Sequence, residues 1–187
     1  MKSLIYTLLL IVSVQCFSQE KPSFKKIEYV SYEDDNGKIK TDTYFVIDNY
    51  GNVNIQVKLY KGIEYSKLQL NKKEIALLNQ LFNDSTTLKN YVETNKLSAG
   101  NHYAGNYSYL SFTSLDNKIQ RLVYISPFMD KDFNDMMEKI THDIIWNPGK
   151  EVVSKPSYNL DATEKEISKI NKKANLPKKE LPPPMGN

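Results

Sequence analysis

The segment TDTYFVIDNYGNVNIQVKLY, residues 41–60, constrains this chain more than any other stretch, because apolar and polar side chains alternate on both sides of a central Asn49-Tyr50-Gly51. A three-residue hairpin loop with Gly51 in the left-handed conformation would place Ile47 opposite Val53, Phe45 opposite Ile55 and Thr43 opposite Val57. One face of the hairpin is then apolar. The other carries Val46 beside Asn54, Tyr44 beside Gln56, and Asp42 beside Lys58 as an opposite-charge pair. A slip of one residue would exchange the two faces, so the pattern commits the chain to this register and to a sheet with one face that must be sealed.

The flanking sequence supplies the rest of such a sheet and its cover. Lys26 to Tyr32 reads as a strand that ends at the turn residues Asp34-Asp35-Asn36-Gly37, and Tyr65 to Leu70 reads as another. Asn71 and Glu74 form a capping box, and Ile75, Leu78, Leu81 and Phe82 follow at helical spacing to about Asn83. Asp84 to Gly105 is polar, with a short helix around Leu88 to Val92. A second hairpin, YSYLSFTSLDNKIQRLVYIS, turns at Asp116-Asn117. A two-residue loop there pairs Leu110 with Val123, Phe112 with Arg121 and Tyr109 with Tyr124.

Ser126-Pro127 or Asp130 then starts a second amphipathic helix through Phe133, Met136, Met137, Ile140 and Ile144, closing near Trp146-Asn147-Pro148-Gly149. The expected fold is therefore α+β: an antiparallel sheet of about six strands with two main helices packed on one face, in the order ββββαββα. The globular domain spans residues 19–147. Residues 148–187 form a Lys/Pro-rich tail, expected to be largely disordered. Thr163 and Glu166 there make a formal capping box, and Ile167, Ile170 and Ala174 line a weak helix over 163–174, but so narrow a stripe buries little. Lys178 to Pro184 should be extended.

The first eighteen residues read as an export signal, with Lys2 followed by an apolar run from Leu4 to Val14, too short to span a bilayer. Cleavage after Ser18 puts the small residues Cys16 and Ser18 at the −3 and −1 positions and discards the only cysteine of the chain. The alternative retains Cys16 as a lipidated N-terminus, but a lipoprotein site wants a small residue where Gln15 stands. The exported chain would then lie in the periplasm or outside the cell, with no thiol for a disulfide and a buried core as its main source of stability.

The formal charge of +3 gives no footprint for nucleic acid, because residues 19–147 hold 16 Lys and Arg against 17 Asp and Glu, and the basic excess belongs to the tail and Lys2. Arg121 is the only arginine, whereas phosphate and base recognition favour that planar fork.

Chemistry-bearing motifs are few. His102 and His142 fall in different elements without metal-ligand spacing. The turns at Asp34 and Asp48 resemble calcium loops superficially and lack the glutamate at position twelve. No serine sits in a nucleophile motif, and no phosphate-binding glycine loop is present. No cofactor or metal is expected. What remains is NHYAGNYSY, residues 101–109, whose Tyr103, Tyr107 and Tyr109, joined by Tyr124 across the second hairpin, would make an amphipathic aromatic patch suited to a glycan, peptide or protein partner.

Arg121, expected on the apolar face, would have to reach the rim, pair with a carboxylate or meet an anionic ligand. The sequence thus points to an exported, non-catalytic binding domain. A hydrolase using carboxylates of the 84–105 segment and a structural lipoprotein are the alternatives.

Overall fold

The first hairpin forms in the expected register: Ile47 pairs with Val53, Phe45 with Ile55 and Thr43 with Val57. Gly51 adopts φ +78° and donates to the Asp48 carbonyl over 3.1 Å. Lys58 and Asp42 meet at 3.3 Å. The computed structural model describes residues 20–94, 96–97, 103–174 and 176–179. Residues 1–19, with the expected export segment and Cys16, lie outside that set, as do His102 and residues 180–187.

Around this hairpin the chain builds one antiparallel seven-stranded sheet. Its strands are β1 (Phe24–Asp35), β2 (Lys38–Asp48), β3 (Asn52–Leu59), β4 (Gly62–Gln69), β5 (Tyr107–Ser114), β6 (Ile119–Tyr124) and β7 (Glu151–Val153). Their spatial order is β6-β5-β1-β2-β3-β4-β7. Three helices accompany them: α1 (Lys72–Leu81), α2 (Lys131–Ile145) and α3 (Leu160–Asn171). The fold class is α+β as expected, with one more strand, and with the weak helix expected over 163–174 formed as α3.

The two expected helices begin where their caps place them. The Asn71 side chain accepts from the Lys73 and Glu74 amides while the Glu74 carboxylate accepts from the Asn71 amide, a complete capping box. Of the two candidate caps for α2, Asp130 is used, accepting from the Phe133 amide, while Ser126–Phe128 forms a separate 3₁₀ turn. Both helices lay their stripes on the same sheet face. Ile75, Leu78, Phe133, Met137 and Ile140 pack there against Ile27, Phe45, Ile55, Leu110 and Phe112.

The second hairpin departs from expectation by one residue. Its loop is Leu115-Asp116-Asn117, closed by the Ser114 amide on the Lys118 carbonyl at 3.0 Å, with Asn117 at φ +67°. It repeats the loop class of the first hairpin, with asparagine in the left-handed position that glycine holds there. Tyr109 therefore pairs with Val123, Ser111 with Arg121, and Ser108 with Tyr124. Because side chains alternate with period two, the shift moves every β6 side chain to the face opposite the one expected.

The expectation of a disordered tail is also overturned, since β7 adds to the β4 edge and α3 covers the second face of the sheet. Ile167 is fully buried there, with Leu160, Ile170 and Ala174 packed partly around it. Thr163 and Glu166 do not cap this helix; Asn159 does, accepting from the Ala162 amide. The apolar stripe is as narrow as the sequence implied, but side-chain hydrogen bonds to the sheet supplement it. Thr163 donates to Glu28, Thr41 to Glu164, and the Tyr32 hydroxyl to Asn171. A pattern of apolar residues alone does not register such polar seating.

Candidate functional site

The second face of the sheet is closed by the chain itself. Tyr32, Tyr44 and Tyr109 are buried beneath α3, and Tyr103 and Tyr107 are buried beside them. Tyr109 donates to the Glu166 carboxylate at 2.9 Å, Tyr107 to the Pro177 carbonyl at 2.8 Å, and Tyr103 to the Asn106 carbonyl. Burial pushes the Tyr103 phenol up to about 12 and raises the Tyr107 and Tyr109 phenols as well. Three of the four tyrosines proposed from sequence thus come together, but as an interior cluster whose hydroxyls already have partners.

Arg121 lies on this second face rather than opposite Phe112, and its Nε contacts Glu166 Oε1 at 2.7 Å. Of the roles open to it, pairing with a carboxylate is the one seen. The buried carboxylate of the region is Glu28. Its oxygens accept from Thr163 at 2.6 Å and Tyr44 at 3.0 Å and contact the Lys26 ammonium at 2.7 Å. Burial alone would raise the Glu28 pKa, but the Lys26 and Thr163 hydrogen bonds, the Lys26 charge and the Tyr44 bond outweigh it and hold the group below the ordinary carboxylate range.

The fourth tyrosine, Tyr124, has gone elsewhere because of the register shift. It enters the helix-side core and lines a cleft of 240 Å³ between α2 and strands β1, β5 and β6. Each strand contributes a hydroxyl at this end of the sheet: Tyr29 from β1, Ser108 from β5 and Tyr124 from β6. The Tyr29 and Ser108 hydroxyls lie 3.2 Å apart. Helix α2 supplies the opposite wall through Asn134, Glu138 and Thr141, spaced about one helical turn apart so that they share a face. Asn134 donates to Glu138 at 3.1 Å, and Trp146, the C-cap residue of α2, stands at the cleft with 64% of its surface exposed.

Two features of this cleft carry chemical information. Thr141 Oγ1 is shielded from water, and the Tyr29 hydroxyl is its neighbouring polar group, in a contact short of full hydrogen-bond geometry. The second feature is protonation. Burial, opposed by the neighbouring Ser108 and Thr141 hydroxyls, raises the Tyr29 pKa, and burial drives the Tyr124 pKa well above its usual value. At neutral pH both phenols are hydrogen-bonding O–H groups and not bases.

The other hollows of the surface are lined by groups that already satisfy one another. Beside the β1–β2 turn, Asp34 accepts from the Gly37 amide and the Asn171 amide group, and Lys179 pairs with Glu33. Between β3 and the chain entering α3, Ser157 bonds Asn54, and farther along Tyr158 bonds Gln56. The turn at Asp48 spends its carboxylate on the Tyr50 and Asn52 amides, as a turn and not as a cation loop. Of the carboxylates in the 84–105 segment, Asp84 Oδ1 accepts the Leu115 amide of the second hairpin loop.

Sequence reasoning missed the cleft because its residues come from four elements and none forms a local motif. Tyr29, Ser108 and Thr141 stand out only once the sheet is assembled. The nearest signal was Tyr124, assigned to the wrong face through the one-residue difference in loop length. Comparison with known protein families, with curated proteins and with solved structures gives no match, so the functional reading rests on the site's own chemistry.

Proposed function

We propose that this chain is an exported, non-catalytic domain that binds a small polar ligand, or the polar end of a larger partner, in the cleft beneath α2. The single observation behind this reading is the convergence of the Tyr29, Ser108 and Tyr124 hydroxyls on one open cleft, with the Asn134–Glu138 pair facing them and Thr141 behind the Tyr29 hydroxyl. A ligand polar atom in the cleft would meet hydroxyls able to donate or accept, with the Tyr29 hydroxyl held from behind by Thr141.

The groups that meet in the cleft suit recognition. Hydroxyls both donate and accept, and the two phenols keep their protons at neutral pH. The export part of the proposal rests on the apolar run from Leu4 to Val14 and the small residues before Gln19. Intact-mass analysis of the exported protein tests it: a chain beginning at Gln19 is expected, whereas a diacylglycerol adduct on Cys16 would make it an anchored lipoprotein.

Binding at the cleft is tested by ligand-observed NMR on the protein beginning at Gln19, comparing wild type with Thr141→Val. The substitution keeps the side-chain shape and removes the hydroxyl. A ligand of the cleft should bind about tenfold more weakly to the variant, because the Tyr29 hydroxyl loses the group that holds it. Equal affinity for both proteins would remove the site.

A further inference from the structure

We infer that the cleft beneath α2 takes one neutral sugar ring, seated among the Tyr29, Ser108, Tyr124 and Ser126 hydroxyls, with Thr141 behind Tyr29 and the Trp146 indole beside it at the rim. This rests on the ligand site proposed above and names the class of ligand. Three properties of the cleft select that class.

The first is size. At 240 Å³ the space lies below the range of about 300–1,000 Å³ that encloses drug-sized ligands, so it admits one ring and not an extended chain. A glycan would enter by its terminal residue, with the remainder outside.

The second is charge. No lysine or arginine lines the cleft among the described residues, and Glu138 is the only carboxylate lining it. A phosphate or carboxylate ligand would meet the Glu138 carboxylate, with the His142 imidazole as the one lining side chain able to carry positive charge. Glu138 in turn accepts from Asn134, so the pair presents a mixed donor and acceptor edge of the kind that matches vicinal hydroxyls. Four further hydroxyls each donate and accept, the pattern a polyol offers in return.

The third is the aromatic rim. Trp146 is a large side chain left 64% exposed at the end of a helix whose other large apolar residues turn inward. Exposed aromatic surface beside a polar pocket marks contact with something amphipathic. A sugar ring is amphipathic in that sense, with C–H groups on its faces and hydroxyls around its edge. The Lys150 ammonium stands 5.9 Å from the indole centroid and is already paired with Glu64 at 2.7 Å.

The experiment is saturation-transfer NMR with titration calorimetry on the chain beginning at Gln19. The probes are methyl glycosides of glucose, galactose, mannose and N-acetylglucosamine, with inorganic phosphate and a primary amine, benzylamine, in parallel. At least one glycoside should bind, with affinity falling about tenfold or more in Thr141→Val and in Trp146→Ala, and by less than about threefold in Glu138→Gln. Each variant's folding is checked by its melting curve.

Preferential binding of benzylamine, lost in Glu138→Gln, would overturn the sugar assignment while leaving the ligand site in place. Preferential binding of phosphate would overturn it as well. If no probe bound in a manner sensitive to Thr141, both the sugar assignment and the ligand site would fall.

Discussion

Thr163 on α3 donates to the carboxylate of Glu28 on β1 at 2.6 Å, joining residues 135 positions apart inside the protein. This contact turns the C-terminal extension into part of the fold. Thr163→Val should cost about 1–3 kcal/mol in chemical denaturation, the range for a hydrogen bond to a charged group whose partner stays buried. The same contact makes stability depend on pH. The Glu28 pKa is lowered from 4.5, so its contribution is fully present above that value and is lost as pH falls through the depressed folded value. Below pH 4.5 the wild type should lose stability faster than Glu28→Gln, as read by melting temperatures of the two proteins on one pH series.

Ile167 is the one apolar side chain of α3 that is fully enclosed. Ile167→Ala should cost about 2–5 kcal/mol, the range for emptying a buried isoleucine site, and Ile170→Ala should cost less because that residue is only partly covered. A freely moving tail would leave denaturation midpoints unchanged in both variants.

Arg121 and Glu166 form an ion pair, but each side chain is 37% exposed, so solvent screens their attraction. Arg121→Ala should change stability by no more than about 1 kcal/mol. Glu166→Ala should cost more, because it also strips the acceptor from the buried Tyr109 hydroxyl. Parallel urea titrations of the two variants separate the surface pair from the buried bond.

The two hairpin loops depend on left-handed residues. A Cβ on Gly51 would stand 3.2 Å from Gln69 Nε2 and from Ile75 Cδ1, at φ +78°. Gly51→Ala should therefore destabilise by at least about 1–2 kcal/mol, the backbone cost alone. Asn117→Val should lose a similar amount, while Asn117→Gly should be neutral or stabilising. Thermal denaturation of the three variants checks the loop assignment on which the placement of Tyr124 rests.

Much of the architecture could be read in the sequence, for physical reasons that also explain what could not. The register around Gly51 was legible because period-two alternation runs through both strands and only one pairing keeps the apolar residues together. The helices α1 and α2 were legible through their caps and broad stripes. In the second hairpin, Asp116-Asn117 suits a two-residue or a three-residue loop equally well, and the hydrogen bond of Ser114 to Lys118 that decides between them is a tertiary detail. The α3 helix was expected only as a weak one over 163–174, and its docking escaped because Thr163, Glu164, Glu166 and Asn171 look like a solvated surface until Glu28, Thr41, Tyr109 and Tyr32 are placed opposite them. The tyrosine cluster was recognised as a cluster, and its exposure was misjudged for the same reason. The hydroxyl cleft had no local signal at all.

The most direct test of the proposed function is amide chemical-shift mapping of the labelled protein during titration with its best-binding glycoside. Shifts concentrated at Tyr29, Ser108, Tyr124, Thr141 and Trp146, with Tyr107, Tyr109 and α3 unmoved, are the predicted result. Shifts centred on Tyr107, Tyr109 and α3 would contradict it, because ligand would then be displacing the helix from the second face instead of filling the cleft beneath α2.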